Sequence, residues 1–196
     1  MAKRERLNKL FELQWETNPK TGKPKRVAKY IGKFYALDMA RRNKLRAALI
    51  VEGVLALAAF CAGGMINNTG SHIGWVAVFY GLSLLPIAYY LFGVVKLACI
   101  KGKMTQMDLE DGLQRGMRSA VGMTLLGAAW LIADVVDLCL YGAGGQLGRE
   151  LLFMGCAAVI GALGVVSWKQ LKSIGCTEIA QEGRAAEAED GKQKQG

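Results

Sequence analysis

Apolar residues in this 196-residue chain are gathered into four runs, divided by charged or turn-forming stretches. The runs cover 47–66, 73–95, 119–141 and 151–168. The first carries one charge, Glu52, and the third carries Asp134 and Asp137, while the second and fourth carry none. A helix rises about 1.5 Å per residue, so roughly 20 residues cross a hydrocarbon core of about 30 Å. All four runs meet or approach that length. Four buried helices of a soluble bundle would instead show a charged stripe at helical period, and the second and fourth runs lack one. The pattern therefore predicts an all-α, integral membrane four-helix bundle over 45–173. A basic arm of amphipathic or interfacial helices is expected over 1–44, and a disordered tail over 174–196.

The arm divides further. Leu7, Leu10, Phe11 and Leu13 share one side of a helix predicted between Arg4 and Trp15. The stretch from Asn18 to Pro24, with two prolines and a glycine, reads as a turn. Val27 to Ala36 interleaves aromatics with lysines, and Asp38 to Arg46 is expected to run straight into the first span. In the middle loop, Thr105 followed three residues later by Asp108 has the form of a capping box and predicts a short helix. The tail beyond Glu182 holds no large apolar residue and is expected to stay disordered.

Charge sets the orientation. The chain has 25 Lys and Arg against 16 Asp and Glu, a net +9. More than half of the basic residues precede the first run. Most of the others are Lys96, Lys101, Lys103, Arg115 and Arg118 in the middle loop, and Lys169, Lys172, Arg184, Lys192 and Lys194 at or beyond the end of the fourth run. Only Arg149 lies in the two remaining loops. Basic residues of short loops stay on the cytoplasmic side. Both termini are thus expected in the cytoplasm, in the cell membrane. The first run begins beyond residue 40 and exceeds a signal-peptide core, so it is expected to serve as a retained insertion signal.

Lysines among aromatics suit an anionic lipid surface. Lys25, Arg26, Lys29, Tyr30, Lys33, Phe34 and Tyr35 are the expected lipid-contact set. The bilayer, with anionic lipid at the cytoplasmic face, is the expected partner, beside a second copy or another membrane protein; nucleic acid is not expected.

Charge inside a span is costly and marks a functional candidate. Glu52 pairs with Lys96 or a middle-loop basic residue, or simply snorkels inward, or else couples protons to transport. Four spans with a glutamate in the first are similar to the small multidrug-resistance transporters, although those chains are shorter and lack a long basic arm. The resemblance is one of span count and that single carboxyl, and it implies the coupling role. Asp134 and Asp137 share a helix face in the outer part of the third span, with His72, Arg149 and Glu150 expected nearby. Their alternatives are a wet outer mouth, an Asp137–Arg149 pair, or a cation held by two aspartates and the histidine. Pro86 lies mid-span and is the candidate helix kink. Small residues at four-residue spacing, Ala129/Ala133, Ala157/Gly161 and Ala158/Ala162, permit close helix contact.

Some residues recur 71 or 72 positions apart, as with Gly93 and Gly164, Thr105 and Thr177, and Arg46 and Arg118. A duplicated helical hairpin would produce such offsets, and so would the chance recurrence of common residues. Five cysteines form no CxxC pair, so those inside the spans read as apolar filler. Nucleotide-binding and hydrolase motifs are absent, and one histidine leaves little room for histidine-based catalysis. No catalytic residue, metal or cofactor is expected. The leading function is a non-enzymatic scaffold or accessory membrane subunit; the alternative is an oligomeric proton-coupled transporter or channel using Glu52, Asp134 and Asp137.

The charge asymmetry yields a direct test. Reporter fusions after Lys103 and after Lys172 are expected to read cytoplasmic, and fusions near Ser71 and Gly145 external. An external reading at Lys103 would overturn the four-span topology.

Overall fold

A computed structural model of the chain describes residues 10–17, 22–37, 39–67, 70–100, 104–142, 145–174 and 176–179. Three strands come first: β1 (Phe11–Thr17), β2 (Pro24–Tyr30) and β3 (Phe34–Leu37). Helices α1 (Met39–Met65) and α2 (Gly74–Cys99) follow. A two-residue strand, β4 (Met104–Thr105), then leads into α3 (Gln106–Tyr141). The long helix α4 (Leu147–Lys172) and strand β5 (Cys176–Ile179) complete the order.

All four helices are long and apolar enough to cross a membrane. At 26 to 36 residues for α2, α3 and α4, each outruns the roughly 20 that hydrocarbon requires. The helices extend beyond the apolar runs because backbone pairing continues where side chains turn polar. Lys96, Lys169 and Lys172 sit in these extensions, where long basic stems carry the charge toward water.

Polarity in the bundle is reversed relative to a water-soluble one. Val54, Leu55, Leu85, Phe92, Leu125, Ile132, Leu152 and Val166 are exposed, whereas Glu52, Ser83, Asp134, Asp137, Glu150 and Ser167 are buried. Only 22% to 28% of each span is covered by the rest of the protein. Such an exterior would be a very large apolar patch in water. In lipid it is the expected surface, so the chain has the build of a multi-pass membrane protein.

The helices close a ring in chain order, α1 to α2 to α3 to α4 and back to α1. The tightest seam joins α3 and α4. A Cβ on Gly127 would lie 2.8 Å from Gly161 N and 3.1 Å from Ala157 O. A Cβ on Gly164 would lie 2.7 Å from Ala120 O and 2.8 Å from Thr124 N. Of the expected small pairs, Ala157/Gly161 lines this seam, while Ala158 and Ala162 face outward. Pro86 lies inside unbroken α2, buried against Gly122 of α3.

Thr105 caps α3 as the sequence suggests. Its hydroxyl accepts from Asp108 N at 3.2 Å, and Asp108 Oδ2 accepts from Thr105 N at 3.2 Å. The next turns, Leu109–Gln114, are π-helical before the regular helix resumes at Arg115. Asp38 lies outside the described residues, and from Met39 the chain runs straight into the first span as expected.

Two expectations are corrected. From Phe11 onward the arm is sheet, not interfacial helix: β1 pairs antiparallel with β2, Phe11 opposite Tyr30 and Thr17 opposite Pro24. Of the stretch expected to turn, residues 18–21 lie outside the described residues. Leu10, Phe11 and Leu13 fit a helical face, yet Phe11, Leu13 and Trp15 fit strand alternation equally well, and pairing with the β-prone segment of Val27 and Tyr30 decides. The Val27–Ala36 segment likewise becomes the end of β2, a bend at Gly32 and β3. The second correction is in the tail, where Cys176–Ile179 forms β5 on β3, with Leu37 opposite Cys176. β3 takes β4 on its other edge. Residues 1–9 and 180–196, with their expected helix and disorder, lie outside the described residues.

The α3–α4 seam can be tested with one methyl group. Gly164→Ala forces two backbones apart and is expected to cost roughly 1–3 kcal/mol. Gly155→Ala, which meets nothing within 4 Å, should be neutral or slightly stabilising through helix propensity. Thermal unfolding in detergent would rank them; equal melting temperatures would refute the close seam.

Candidate functional site

Carboxyl groups inside the bundle fall into two clusters, called inner for the end that carries the strands and outer for the other; buried Ser83 stands apart from both, its hydroxyl donating to Phe79 O at 2.8 Å. The inner one centres on Glu52 of α1, only 8% exposed. Its Oε2 accepts a hydrogen bond from Ser167 Oγ at 2.6 Å, and its Oε1 accepts from the Gln170 side-chain amide. Both donors are on α4, three residues apart and so on one helix face. From α2, the Tyr90 hydroxyl lies between Leu49 O at 3.3 Å and Glu52 Oε2 at 3.5 Å. One carboxyl thus binds three helices through neutral donors.

This differs from the expected pairing of Glu52 with Lys96. Lys96 donates instead to Asp111 Oδ2 at 2.9 Å, and Asp111 also receives Arg115 at 3.1 Å. These partly exposed charges sit at the end of the bundle that carries the strands. There the α3 backbone brings Asp111 across to α2 beside the close approach of Gly93 to Gly112 and Gly116. Arg46 does related work nearby: its guanidinium donates to Leu97 O at 3.0 Å and to Ile100 O. A cation on the last carbonyls of α2 satisfies orphan acceptors and opposes the helix dipole.

The outer cluster holds Asp134 and Asp137 of α3, 1% and 2% exposed, and Glu150 of α4. Glu150 Oε1 accepts from Gly70 N at 3.1 Å, fastening the turn between α1 and α2 to α4. Neither oxygen of Asp134, nor Asp137 Oδ1, nor Trp130 Nε1 has a hydrogen-bond partner among the described residues.

Two expected partners are directed elsewhere. His72 Nε2 meets Asn67 Oδ1 at 3.0 Å, and Arg149 donates to Asn67 O at 3.2 Å and to Gln146 Oε1 at 3.4 Å. The Asp–Asp–His grouping and the Asp137–Arg149 pair are therefore not assembled. Among the described residues no group of three or more His, Cys, Asp or Glu side chains is placed to hold a metal ion.

An aromatic layer separates the clusters. Phe60 stacks on Tyr80 at 4.5 Å, Tyr80 meets Trp130 edge-on at 5.1 Å, and Trp130 meets Phe153 at 4.7 Å. Along α4 from the outer cluster inward, the buried residues Phe153, Ala157, Ile160 and Gly164 precede Ser167. Each is apolar.

The expected lipid-contact set divides in two. Lys25, Arg26, Lys29 and Lys33 are exposed, but Tyr30, Phe34 and Tyr35 are partly buried at the hairpin root. The Tyr30 hydroxyl accepts from Gln106 N at 2.9 Å and donates to Lys33 O at 3.2 Å. The exposed apolar residues are instead Phe11, Leu13 and Trp15. Sequence reasoning missed Ser167, Gln170 and Tyr90 as partners of Glu52; Ser167 and Gln170 at helical spacing were the available signal.

No protein-family profile, curated protein or solved structure matches this chain.

The inner network should behave as a unit. Glu52→Ala strips an acceptor from Ser167 and Gln170, and Ser167→Ala removes one donor. A double-mutant cycle in detergent is expected to show coupling of about 0.5–2 kcal/mol. Strict additivity would mean that the hydrogen bond contributes nothing to the fold.

Proposed function

We propose that this chain is a non-enzymatic scaffold or accessory subunit of the cell membrane, with both termini cytoplasmic. On this reading the four-helix bundle is an anchor, and the sheet at its basic end is the surface offered to other proteins. One observation carries the reading: the close-packed apolar layer of Phe60, Tyr80, Trp130, Phe153 and Ile160 between the two polar clusters. A coupled transporter needs a carboxyl that meets water from alternate sides and a route linking its polar sites. Here Glu52 of α1 is held by donors from two other helices, α2 and α4, and the next carboxyls lie beyond several turns of apolar side chains.

The cytoplasmic assignment follows from the charge asymmetry and joins the elements at one end. β3 with β4 and β5 gathers the start of α1, the start of α3 and the end of α4. That platform would report a fixed geometry to a partner. The 71–72-residue offsets support a duplicated hairpin: β4 enters the second helical pair as β3 enters the first.

One observation favours a second reading, an oligomeric proton-coupled transporter or channel. Asp134 is buried with neither oxygen partnered among the described residues, an expense that function commonly explains in a membrane.

Proteoliposomes with an interior pH dye, challenged with a panel of organic cations, separate the two. The scaffold reading expects no substrate-dependent proton movement in wild type, Glu52→Gln or Asp134→Asn. It also expects crosslinking in native membranes to return a partner at fixed stoichiometry. Proton movement in wild type that vanishes in either variant would put the transporter first.

A further inference from the structure

The β1–β2 hairpin has two unlike faces. Side chains alternate along a strand, and directly paired residues share a face. Phe11 opposite Tyr30, Leu13 opposite Ala28 and Trp15 opposite Arg26 therefore make one face, and Glu12 opposite Lys29 with Gln14 opposite Val27 make the other. Ring contacts agree: Phe11 meets Tyr30 edge-on at 5.4 Å, and the Arg26 guanidinium lies 4.6 Å over the Trp15 ring. Exposure rises away from the root: Phe11 is 36% exposed, and further out Leu13 and Trp15 are 66% and 63% exposed. A lone two-stranded hairpin is marginal in water, and this one leaves its apolar side bare.

We propose that the hairpin lies on the anionic leaflet at the basic end of the bundle, with Leu13 and Trp15 at headgroup depth and Arg26 on a lipid phosphate. The occupant is argued from tethering, charge and chemistry. Only residues 31–33 join β2 to β3, and one residue joins β3 to α1. A strand of seven residues extends roughly 23 Å, so the bilayer that holds α1 is always within reach, at the high effective concentration of a tethered site. Lys23, Lys25, Arg26 and Lys29 give the hairpin a basic field against an anionic surface. Lys25 and Lys29 sit on the polar face and act at a distance, while Arg26 stacked on Trp15 meets headgroups directly. A tryptophan with a leucine two residues away, beside an arginine, is the residue set that settles at a membrane interface. The inference goes beyond the scaffold reading and holds equally for a transporter. In either case the polar face of Glu12, Gln14, Val27 and Lys29 is the one left toward the cytoplasm.

The test uses full-length protein, one copy per lipid nanodisc, so that no second copy can cover the face. The Trp15 signal is isolated as the difference between wild type and Trp15→Phe. In discs containing anionic lipid it is expected to be blue-shifted and to lose roughly half its intensity to lipids brominated at a shallow acyl position, as the 5–10 Å depth of interfacial residues implies. Neutral discs should give a clearly smaller effect, and Arg26→Gln should narrow the gap between the two lipids. Raising salt until the Debye length falls to about 3 Å should also narrow it. Leu13→Glu should return the Trp15 signal to its water-exposed position. An unquenched, water-exposed Trp15 in anionic discs would overturn the proposal, as would equal quenching in neutral discs. So would a shift seen only when concentrated protein self-associates in detergent, which would identify a second copy as the occupant.

Discussion

In hydrocarbon a backbone amide has no water to turn to, so every N–H and C=O must be paired within the protein. That constraint sorts this chain. Its apolar runs become helices, whose hydrogen bonds close within the segment. Every described strand lies at one end, where α1 and α3 begin and α2 and α4 finish. The helix ends there are closed by side chains: Thr105 caps the start of α3, and Arg46 takes the final carbonyls of α2. The opposite end has short links. Its closure rests on Glu150 accepting from Gly70 and on Gly142, whose φ of 75° lets α3 end by returning its N–H to Leu138 O at 3.0 Å.

Side chains follow the same logic. An ionisable group turned to lipid at mid-span costs about 2.5–3.5 kcal/mol on insertion scales, whereas one interhelical hydrogen bond in a membrane returns about 0.6. Keeping charge out of lipid therefore sets the rotation of α1 and α3, whose spans carry Glu52, Asp134 and Asp137, and hydrogen bonds set the detail. Glu52 turns α1 so that the carboxyl points inward, and only then do Ser167, Gln170 and Tyr90 fix where it rests. Close approach along Gly127, Gly161 and Gly164 holds α4 near α3 while α4 reaches across to Glu52. The bundle is thus tightened by backbone contact on one seam and by a carboxyl on another.

The same physics explains what was legible in the sequence. The four spans were legible because apolar length is a local property, and so was the cap at Thr105. The hairpin was misread because Leu10, Phe11, Leu13 and Trp15 satisfy two periods, and only the partner strand decides between them. Ser167 was invisible as a partner of Glu52 because 115 residues separate them and a serine in an apolar run is unremarkable. Tyr30, Phe34 and Tyr35 looked like lipid anchors by composition. The fold uses them at the root of the hairpin and gives exposure to residues two positions apart on the neighbouring strand.

The two carboxyl clusters then carry different weight. Glu52 is held by donors from α2 and α4, so moving its side chain breaks contacts with both helices at once; its position suits a strut. Asp134 has no such donors among the described residues. The buried carboxyl without a donor is thus in the outer half. Transport would still need that charge to be felt at the inner end, and the interior between is stacked aromatic and aliphatic packing. To open it, Trp130 would have to leave Tyr80 and Phe153 together, because the rings are in mutual contact. Interiors packed in this way shift between discrete arrangements rather than deforming smoothly. The cost of separating that layer, more than the chemistry of either carboxyl, therefore decides whether the two halves act as one site or remain independent supports.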